Sequence, residues 1–348
     1  MLITMSELVY IVILNWNKWN DTIECLESLL LLTYPNYRIV IIDNNSTDDS
    51  VSCIKSWAQG DIPVRTDFIK NAVSNKDLKF IEYDGVEAEN GGLLNKENNL
   101  NLLAPHIVLI QTGANLGYAG GNNIGIRYAL KKQADYIWIL NNDAIVDRNS
   151  LAEMISVAER DERLGMVGSK LLYYDKPDKI QSAGGGRFNF WQGLSHQYGW
   201  LEEDHGQWDK IFEPYYINGA SLLVKSAVIR TAGLMNESFF LYGEELEWQI
   251  RVKQHGWSLL YCPSAKVWHK ENSTLGYKSP IIEFYYTRSC LWIIREYSFW
   301  TLPTTFIFHS LRILRRLIRG DFRRALAVLK GLYSGLFDKL PDFRSTNV

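Results

Sequence analysis

The sequence predicts an α/β protein, a mostly parallel sheet flanked by helices, with a helical extension at the carboxy terminus. Three observations lead there. The apolar runs Leu8–Leu14, Arg38–Ile42, Ile107–Gln111 and Ile137–Leu140 lack the alternation of a half-exposed strand and read as strands buried on both faces. Helical stretches lie between the early runs, giving βαβα order. The runs lead into clusters of Asn, Asp, Ser or Gly, and an open parallel sheet binds its ligands just outside the carboxyl ends of its strands.

Taken in order, the first strand ends in Asn15-Trp16-Asn17. Its apolar run is short, follows Glu7 and lacks a small-residue cleavage site, so it reads as a strand and not as a signal peptide. Asp21 with Glu24 three residues on predicts a capping box, and Ile23, Leu26 and Leu30 give that helix its apolar face, up to Pro35. The second strand closes in Asp43-Asn44-Asn45-Ser46, with Ser46 expected to cap a helix through Trp57. From about Gly60 to His106 the rhythm breaks. This stretch reads as an insertion, with an Asn-rich loop from Asn95 to Asn101 and a short strand from Lys79 to Tyr83. Regularity returns at Ile107, followed by Asn115-Leu116-Gly117 and Gly120-Gly121-Asn122, a glycine-rich turn opening a helix, where backbone N–H groups can approach a phosphate or sugar.

The next strand ends abruptly in Asn141-Asn142-Asp143. Asn and Asp also begin turns, but a carboxylate at this edge can hold a divalent cation, and the cation a diphosphate. Asn218-Gly219-Ala220 precedes a further strand, and its small residues allow close approach of a ligand. Gly243-Glu244-Glu245-Leu246-Glu247-Trp248 puts three carboxylates at a helix start. The macrodipole alone favours acids there, and one of them placed beside the site can act as a general base. A strand at Trp257–Tyr261 leads to Val267-Trp268-His269; His269 matters if the chain returns it to Asp143.

Composition narrows the function classes. The chain has 348 residues and a formal net charge of -2, which gives no basis for nucleic-acid binding by the whole molecule. Cys25, Cys53, Cys262 and Cys290 are scattered, which argues against a zinc site or a disulfide framework and fits a reducing, cytoplasmic compartment.

In this order and at compatible spacing, these clusters resemble the family 2 glycosyltransferases, inverting enzymes with the GT-A fold, and within them the rhamnosyltransferase- and galactofuranosyltransferase-like subgroup. The resemblance covers roughly Val9 to Ser273. It implies a catalytic domain over residues 1–272, and a donor that is a dTDP- or UDP-sugar, with dTDP-rhamnose a candidate. The acceptor it implies is a hydroxyl of a glycan or a polyprenyl-linked glycan in cell-surface polysaccharide synthesis. Asp43 would accept the N3–H of a uracil or thymine base. Asn15, Trp16, Asn17, Asn45, Asn115, Gly117, Gly121, Asn122 and Asn142 would line the nucleotide. Asp143 fills the last position of a D-x-D-type motif, with Asn141 in place of the first acid, and would bind Mn or Mg with His269. Glu245 would be the base, or Glu244, because both Asp positions of the family's Glu-Asp-x-Asp segment are Glu here. Asn218, Gly219, Ala220, Glu247 and Trp248 would face the sugar or acceptor.

Other classes fit less well. A sugar nucleotidyltransferase needs a glycine-rich loop after its first strand, which Asn15-Trp16-Asn17 does not supply. A glycosidase needs two opposed carboxylates and no nucleotide site. A non-catalytic binding protein would have lost Asp143 or the base.

Residues 273–348 read as a helical extension. The uncharged run Ser298–Leu311 contains Pro303 and is short for a membrane span. At 100° per residue, Ile307, Leu311, Leu314 and Ile318 share one face, with Arg312, Arg315, Arg316 and Arg319 on the other. A basic amphipathic helix predicts contact with an anionic membrane surface, which would make the protein peripheral at the inner face of the cell membrane. The competing reading is a helix packed on the catalytic domain with a solvated basic face.

Overall fold

The structure, a computed structural model, describes residues 6–343 except 65, 67, 69–77, 79, 94–95, 97–106 and 272–278. Most of the Asn-rich run, the first residue of the Lys79–Tyr83 strand and the boundary expected near residue 272 lie outside the described residues.

The first half alternates as expected. β1 (Val9–Asn15), α1 (Trp19–Leu29), β2 (Tyr37–Asp43), α2 (Ser50–Gln59), β3 (Phe80–Asp84), α3 (Gly85–Glu89), β4 (Ile107–Gln111), α4 (Gly117–Lys131) and β5 (Tyr136–Asn141) follow one another. Then come β6 (Ala144–Val146), α5 (Ser150–Ala158), β7 (Leu164–Tyr173), β8 (Lys176–Ala183), β9 (Gly185–Asn189), β10 (Leu194–Gln197), β11 (Tyr216–Ile217), β12 (Ser221–Lys225), α6 (Ser226–Ala232), α7 (Glu244–Gln254) and β13 (Ser258–His269). The extension is α8 (Pro280–Tyr297), α9 (Leu302–Ile318) and α10 (Phe322–Phe337).

The main sheet runs in the order β3-β4-β2-β1-β5-β12-β7-β13-β6, with β8 added to β7. Strands β3 to β5 pair in parallel, and β12 enters antiparallel to both of its neighbours. Successive residues of each central strand face opposite layers. Ile11 and Ile13 pack with Ile23, Leu26 and Trp57 of α1 and α2, while Val12 packs with Ile124 and Ile126 of α4. That two-sided burial is why these strands are apolar at every position.

Two expected helix starts differ. α1 begins at Trp19 behind a left-handed Lys18 with no side-chain cap, and Asp21 lies inside the first turn. Lys270 draws Asp21 away from capping, its Nζ donating to Asp21 Oδ1 at 2.5 Å and Glu24 Oε2 at 2.5 Å. Ser46 does not cap α2, which begins at Ser50; its hydroxyl instead donates to Asp43 Oδ1 at 2.6 Å. In the first case a contact distant in sequence outcompetes the cap; in the second a carboxylate three residues back takes the hydroxyl.

The extension shares a core with the α/β part, in which Phe188, Tyr216, Phe239 and Leu246 pack with Trp292, Ile293 and Ile294 of α8. α10 lies tightly on α8; a Cβ at Gly331 would stand 2.6 Å from the Phe284 carbonyl. α9 is turned opposite to the expectation of a solvated basic face. Arg312 Nη2 donates to Glu283 Oε2 at 2.9 Å, and Arg316 and Arg324 pair with the other oxygen of the same buried carboxylate. Two of the four arginines expected to meet a membrane are therefore held inside by an acid on α8.

Candidate active site

Register brings the polar strand ends together. Asn15 pairs with Asp43 across β1 and β2, and Leu14 with Asn141 across β1 and β5. Along this edge, Asn142 Nδ2 donates to Thr22 Oγ1 (2.9 Å), Thr22 Oγ1 to Asn15 Oδ1 (2.7 Å), and Asn15 Nδ2 to Asp43 Oδ1 (2.9 Å). The chain of bonds ties the Asp143 turn to the β2 exit, and Asn15 is a link in it, fully buried.

An open cleft of about 840 Å³ lies above this edge. Trp16, Asn115, Gly117 and Asn142 line it at the strand ends; Asn218, Gly219 and Ala220 line its wall. Gly117 is required by its backbone: φ is +70°, and a Cβ there would stand 2.4 Å from the Phe240 carbonyl. Asn44 staples this turn to β2, accepting from Leu116 N at 3.0 Å and donating to Asn115 Oδ1 at 3.1 Å.

His269 does return to Asp143. β13 pairs antiparallel with β6, setting His269 opposite Ala144, and Lys270 N donates to the Asp143 carbonyl at 3.0 Å. His269 Nε2 stands 3.0 Å from Asp143 Oδ1 and 3.2 Å from Asn141 Nδ2. Both side chains are buried but reach the cleft. Burial pulls the His269 pKa down, and the charge and hydrogen bond of Asp143 with the charge of Glu271 together outweigh it, so the net direction is up. On the far side of the ring, His269 Nδ1 lies 2.8 Å from Gln181 Oε1. An amide oxygen there accepts from Nδ1–H and leaves Nε2 as the nitrogen facing the cleft.

The donor set fits a hard divalent cation. Among the described residues, no group of three or more His, Cys, Asp or Glu side chains is placed to hold a metal ion. One carboxylate and one imidazole would leave the other positions of such an ion to phosphate oxygens and water.

Glu244 and Glu245 open α7 behind Gly243, whose φ is +98°. Both line the cleft. Burial raises the Glu245 carboxyl pKa against the pull of backbone donors; burial and then the Glu245 charge raise Glu244 well above the ordinary value. Glu244 is buried, whereas Glu245 is partly open and runs beside Gly219, where a Cβ would stand 3.6 Å from Glu245 Cγ.

Several expected contacts fall elsewhere. Trp248 is fully buried under α6 and donates to the Gly233 carbonyl at 2.8 Å. Glu247 is fully buried in an ion pair with Arg251 at 2.6 Å and accepts from Tyr297 at 2.8 Å. Neither lines the cleft; although they share the Glu244 side of the helix, Gly233, Arg251 and Tyr297 hold them in the core. Gly121 is a packing residue, since a Cβ there would meet Leu14 Cδ1 at 2.3 Å. Asn122 is buried in α4 and donates to the Tyr118 carbonyl at 2.9 Å. Asn45 points to solvent with φ 61°, and the cleft takes its neighbour Asn44 instead. Asn17 accepts from Thr47 N at 2.8 Å, outside the cleft lining. Gln181 had no signal in its local sequence; only the addition of β8 to β7 brings it beneath His269.

A mostly parallel sheet with its cleft at the strand ends, and an Asp turn met by a returning His, define a glycosyltransferase of the GT-A fold. The chain belongs to the family described as Glycosyltransferase like family 2, which matches residues 101–279; Glycosyl transferase family 2 matches residues 10–71. One relative is a low-salt glycan biosynthesis hexosyltransferase of Haloferax volcanii, 24% identical over 47% of this chain and 51% of its own length. The chain thus spans about half of that relative. Another is an N-acetylglucosaminyl-diphospho-decaprenol L-rhamnosyltransferase of Mycobacterium tuberculosis, 24% identical over 65% of this chain and 82% of the relative. Among solved structures, a mannosyltransferase from Pyrobaculum calidifontis in complex with GDP-Man and Mn2+ superposes with a TM-score of 0.54 at 12% identity, covering 97% of this chain and 89% of that one.

Proposed function

We propose that this protein is an inverting transferase that moves a sugar from a dTDP- or UDP-sugar, dTDP-rhamnose foremost, to a hydroxyl of a glycan or polyprenyl-linked glycan. It works in cell-surface polysaccharide synthesis, peripherally at the inner face of the membrane. The observation that carries the reading is the shared cleft, with the Asp143–His269 pair and Glu245 lining the same space. The rhamnosyl donor and the lipid-linked acceptor are supported by the relative from Mycobacterium tuberculosis.

Each residue has a distinct task. Trp16 offers an aromatic face to the base at the mouth of the cleft. Asp43 is buried just behind the cleft lining; Asn15 and Ser46 take three of its four acceptor sites, and the one left on Oδ2 would accept a base imide proton. The backbone at Gly117 admits a phosphate or sugar closely. Asp143 and His269 would hold Mn or Mg, which when bound offsets the charge that builds on the departing diphosphate. Glu245 removes the acceptor proton as that oxygen attacks the anomeric carbon from the face opposite the nucleotide. One displacement inverts the centre, so one base suffices, where a glycosidase needs two carboxylates. The raised pKa makes Glu245 a stronger base than a solvated carboxylate.

Calorimetric titration with UDP and dTDP, with and without Mn, tests the donor site. A screen of nucleotide sugars for metal-dependent hydrolysis then identifies the sugar. Equal binding of either nucleotide with and without Mn would remove the cation from the reading.

A further inference from the structure

We infer that the outer faces of α9 and α10 seat the protein on a bilayer of anionic lipid by burying apolar side chains, and that the cleft opens beside this seat to receive an acceptor carried on a lipid. The second clause rests on the glycosyl-transfer reading above.

The amphipathic pattern is used in reverse. A surface helix of a soluble protein turns its apolar stripe inward. α9 instead buries Thr305 and His309 and half-buries Arg312 and Arg316, the two arginines drawn in by Glu283. Its apolar stripe of Ile307, Leu311, Leu314 and Ile318 is left exposed. α10 buries Val328 and Leu332 and in addition leaves Phe322, Leu326, Leu329, Tyr333 and Phe337 exposed. The two stripes meet at the turn, where Ile318 and Phe322 are 78% and 67% exposed. Phe299 and Trp300, just ahead of α9, are exposed as well. Large aromatic and aliphatic groups gathered on one part of a surface mark a contact.

Charge selects the occupant. Arg315, Arg319, Arg323 and Lys330 are exposed beside the stripes. The only acid between residues 302 and 337 is Asp321, which caps α10 and lies 3.3 Å from Arg324. An apolar face rimmed chiefly by cations, with Asp321 paired to Arg324 and the exposed Asp338 at the far end of the stripe bonded to Ser334, suits the headgroup and acyl boundary of an anionic leaflet. A second copy of the same face would bring cations against cations.

Position links the face to the cleft. Ala327 and Lys330 of α10 line the cleft, together with Ile281 and Phe284 of α8. At 100° per residue, Lys330 lies 60° round α10 from Tyr333 at the middle of the stripe, and Ala327 60° further. A lipid-linked acceptor can therefore keep its tail at the stripe, set its phosphate near Lys330 and reach Glu245 with its sugar.

Flotation with phosphatidylcholine vesicles, with and without phosphatidylglycerol, tests this. The variants are Leu311→Ser/Leu314→Ser/Phe322→Ser/Leu326→Ser and, separately, Arg315→Gln/Arg319→Gln/Arg323→Gln. All seven positions are exposed, and unchanged circular dichroism confirms the fold. The serine variant should lose vesicle binding by about tenfold or more, since binding scales with buried apolar area. The glutamine variant should lose only its preference for phosphatidylglycerol. Equal flotation of the serine variant and the wild type overturns the proposal. So does a wild type that is dimeric by light scattering without vesicles and becomes monomeric on serine substitution, which would assign the face to a second copy. Metal-dependent hydrolysis of a nucleotide sugar in solution is read in parallel. Its absence from the wild type would sink the transferase reading and leave the vesicle result standing.

Discussion

Gln181 is the most informative residue to change, because it meets the cation site from behind. Its Oε1 lies 2.8 Å from His269 Nδ1, and it is itself buried. Gln181→Leu keeps the approximate volume and removes the acceptor. The Nδ1 proton then lies buried without a partner, at a cost of about 1–3 kcal/mol. Alternatively the proton moves to Nε2, which closes the nitrogen that faces Asp143. Losing such an outer partner typically weakens a metal by about 10–100-fold, and at 1.36 kcal/mol per tenfold that is about 1.4–2.7 kcal/mol. The assay is a calorimetric Mn titration in the presence of dTDP or UDP. Gln181→Leu should weaken Mn by 10–100-fold, while Gln181→Glu, which keeps an oxygen on Nδ1, should not. An unchanged Mn affinity in Gln181→Leu would refute the assignment of His269 Nε2 as a ligand.

Four further outcomes are expected. Asp143→Ala should abolish turnover and Mn-dependent nucleotide binding while thermal unfolding stays cooperative; wild-type turnover with the same Mn dependence would remove Asp143 from the mechanism. Glu245→Gln should keep donor binding and lose about 10²–10⁴-fold in kcat; if Glu244→Gln takes the loss instead, the base is its neighbour. The base must be charged to accept a proton, and burial raises its pKa, so wild-type kcat should fall with acid at a pH above the usual carboxylate range, as a pH–rate profile would reveal. Glu283→Gln leaves Arg312, Arg316 and Arg324 without their shared counter-charge and should cost about 3–5 kcal/mol in denaturant unfolding, the amount typical of breaking a buried pair.

The sequence by itself determined the layered sheet and the polar edge. A strand buried on both faces must be apolar at every position, so Val9–Ile13, Ile39–Ile42 and Ile137–Leu140 declare themselves locally. A ligand edge must interrupt those runs with Asn, Asp and Gly, so Asn141-Asn142-Asp143 and Asn218-Gly219-Ala220 were legible too. Helical period also revealed that residues 307–318 are amphipathic. It did not reveal which side turns inward. That was decided by Glu283, an acid more than twenty residues away on another helix, whose buried charge requires arginines around it. Trp248 and Glu247 read as site residues because they stand beside Glu245; Gly233 and Tyr297, on other segments, hold them in the core. Gln181, inconspicuous in its own stretch, reached His269 only because β8 folds back on β7. Local pattern follows from what each segment does alone with water and backbone. Which buried polar group meets which is decided by partners far along the chain, and only the folded structure brings them together.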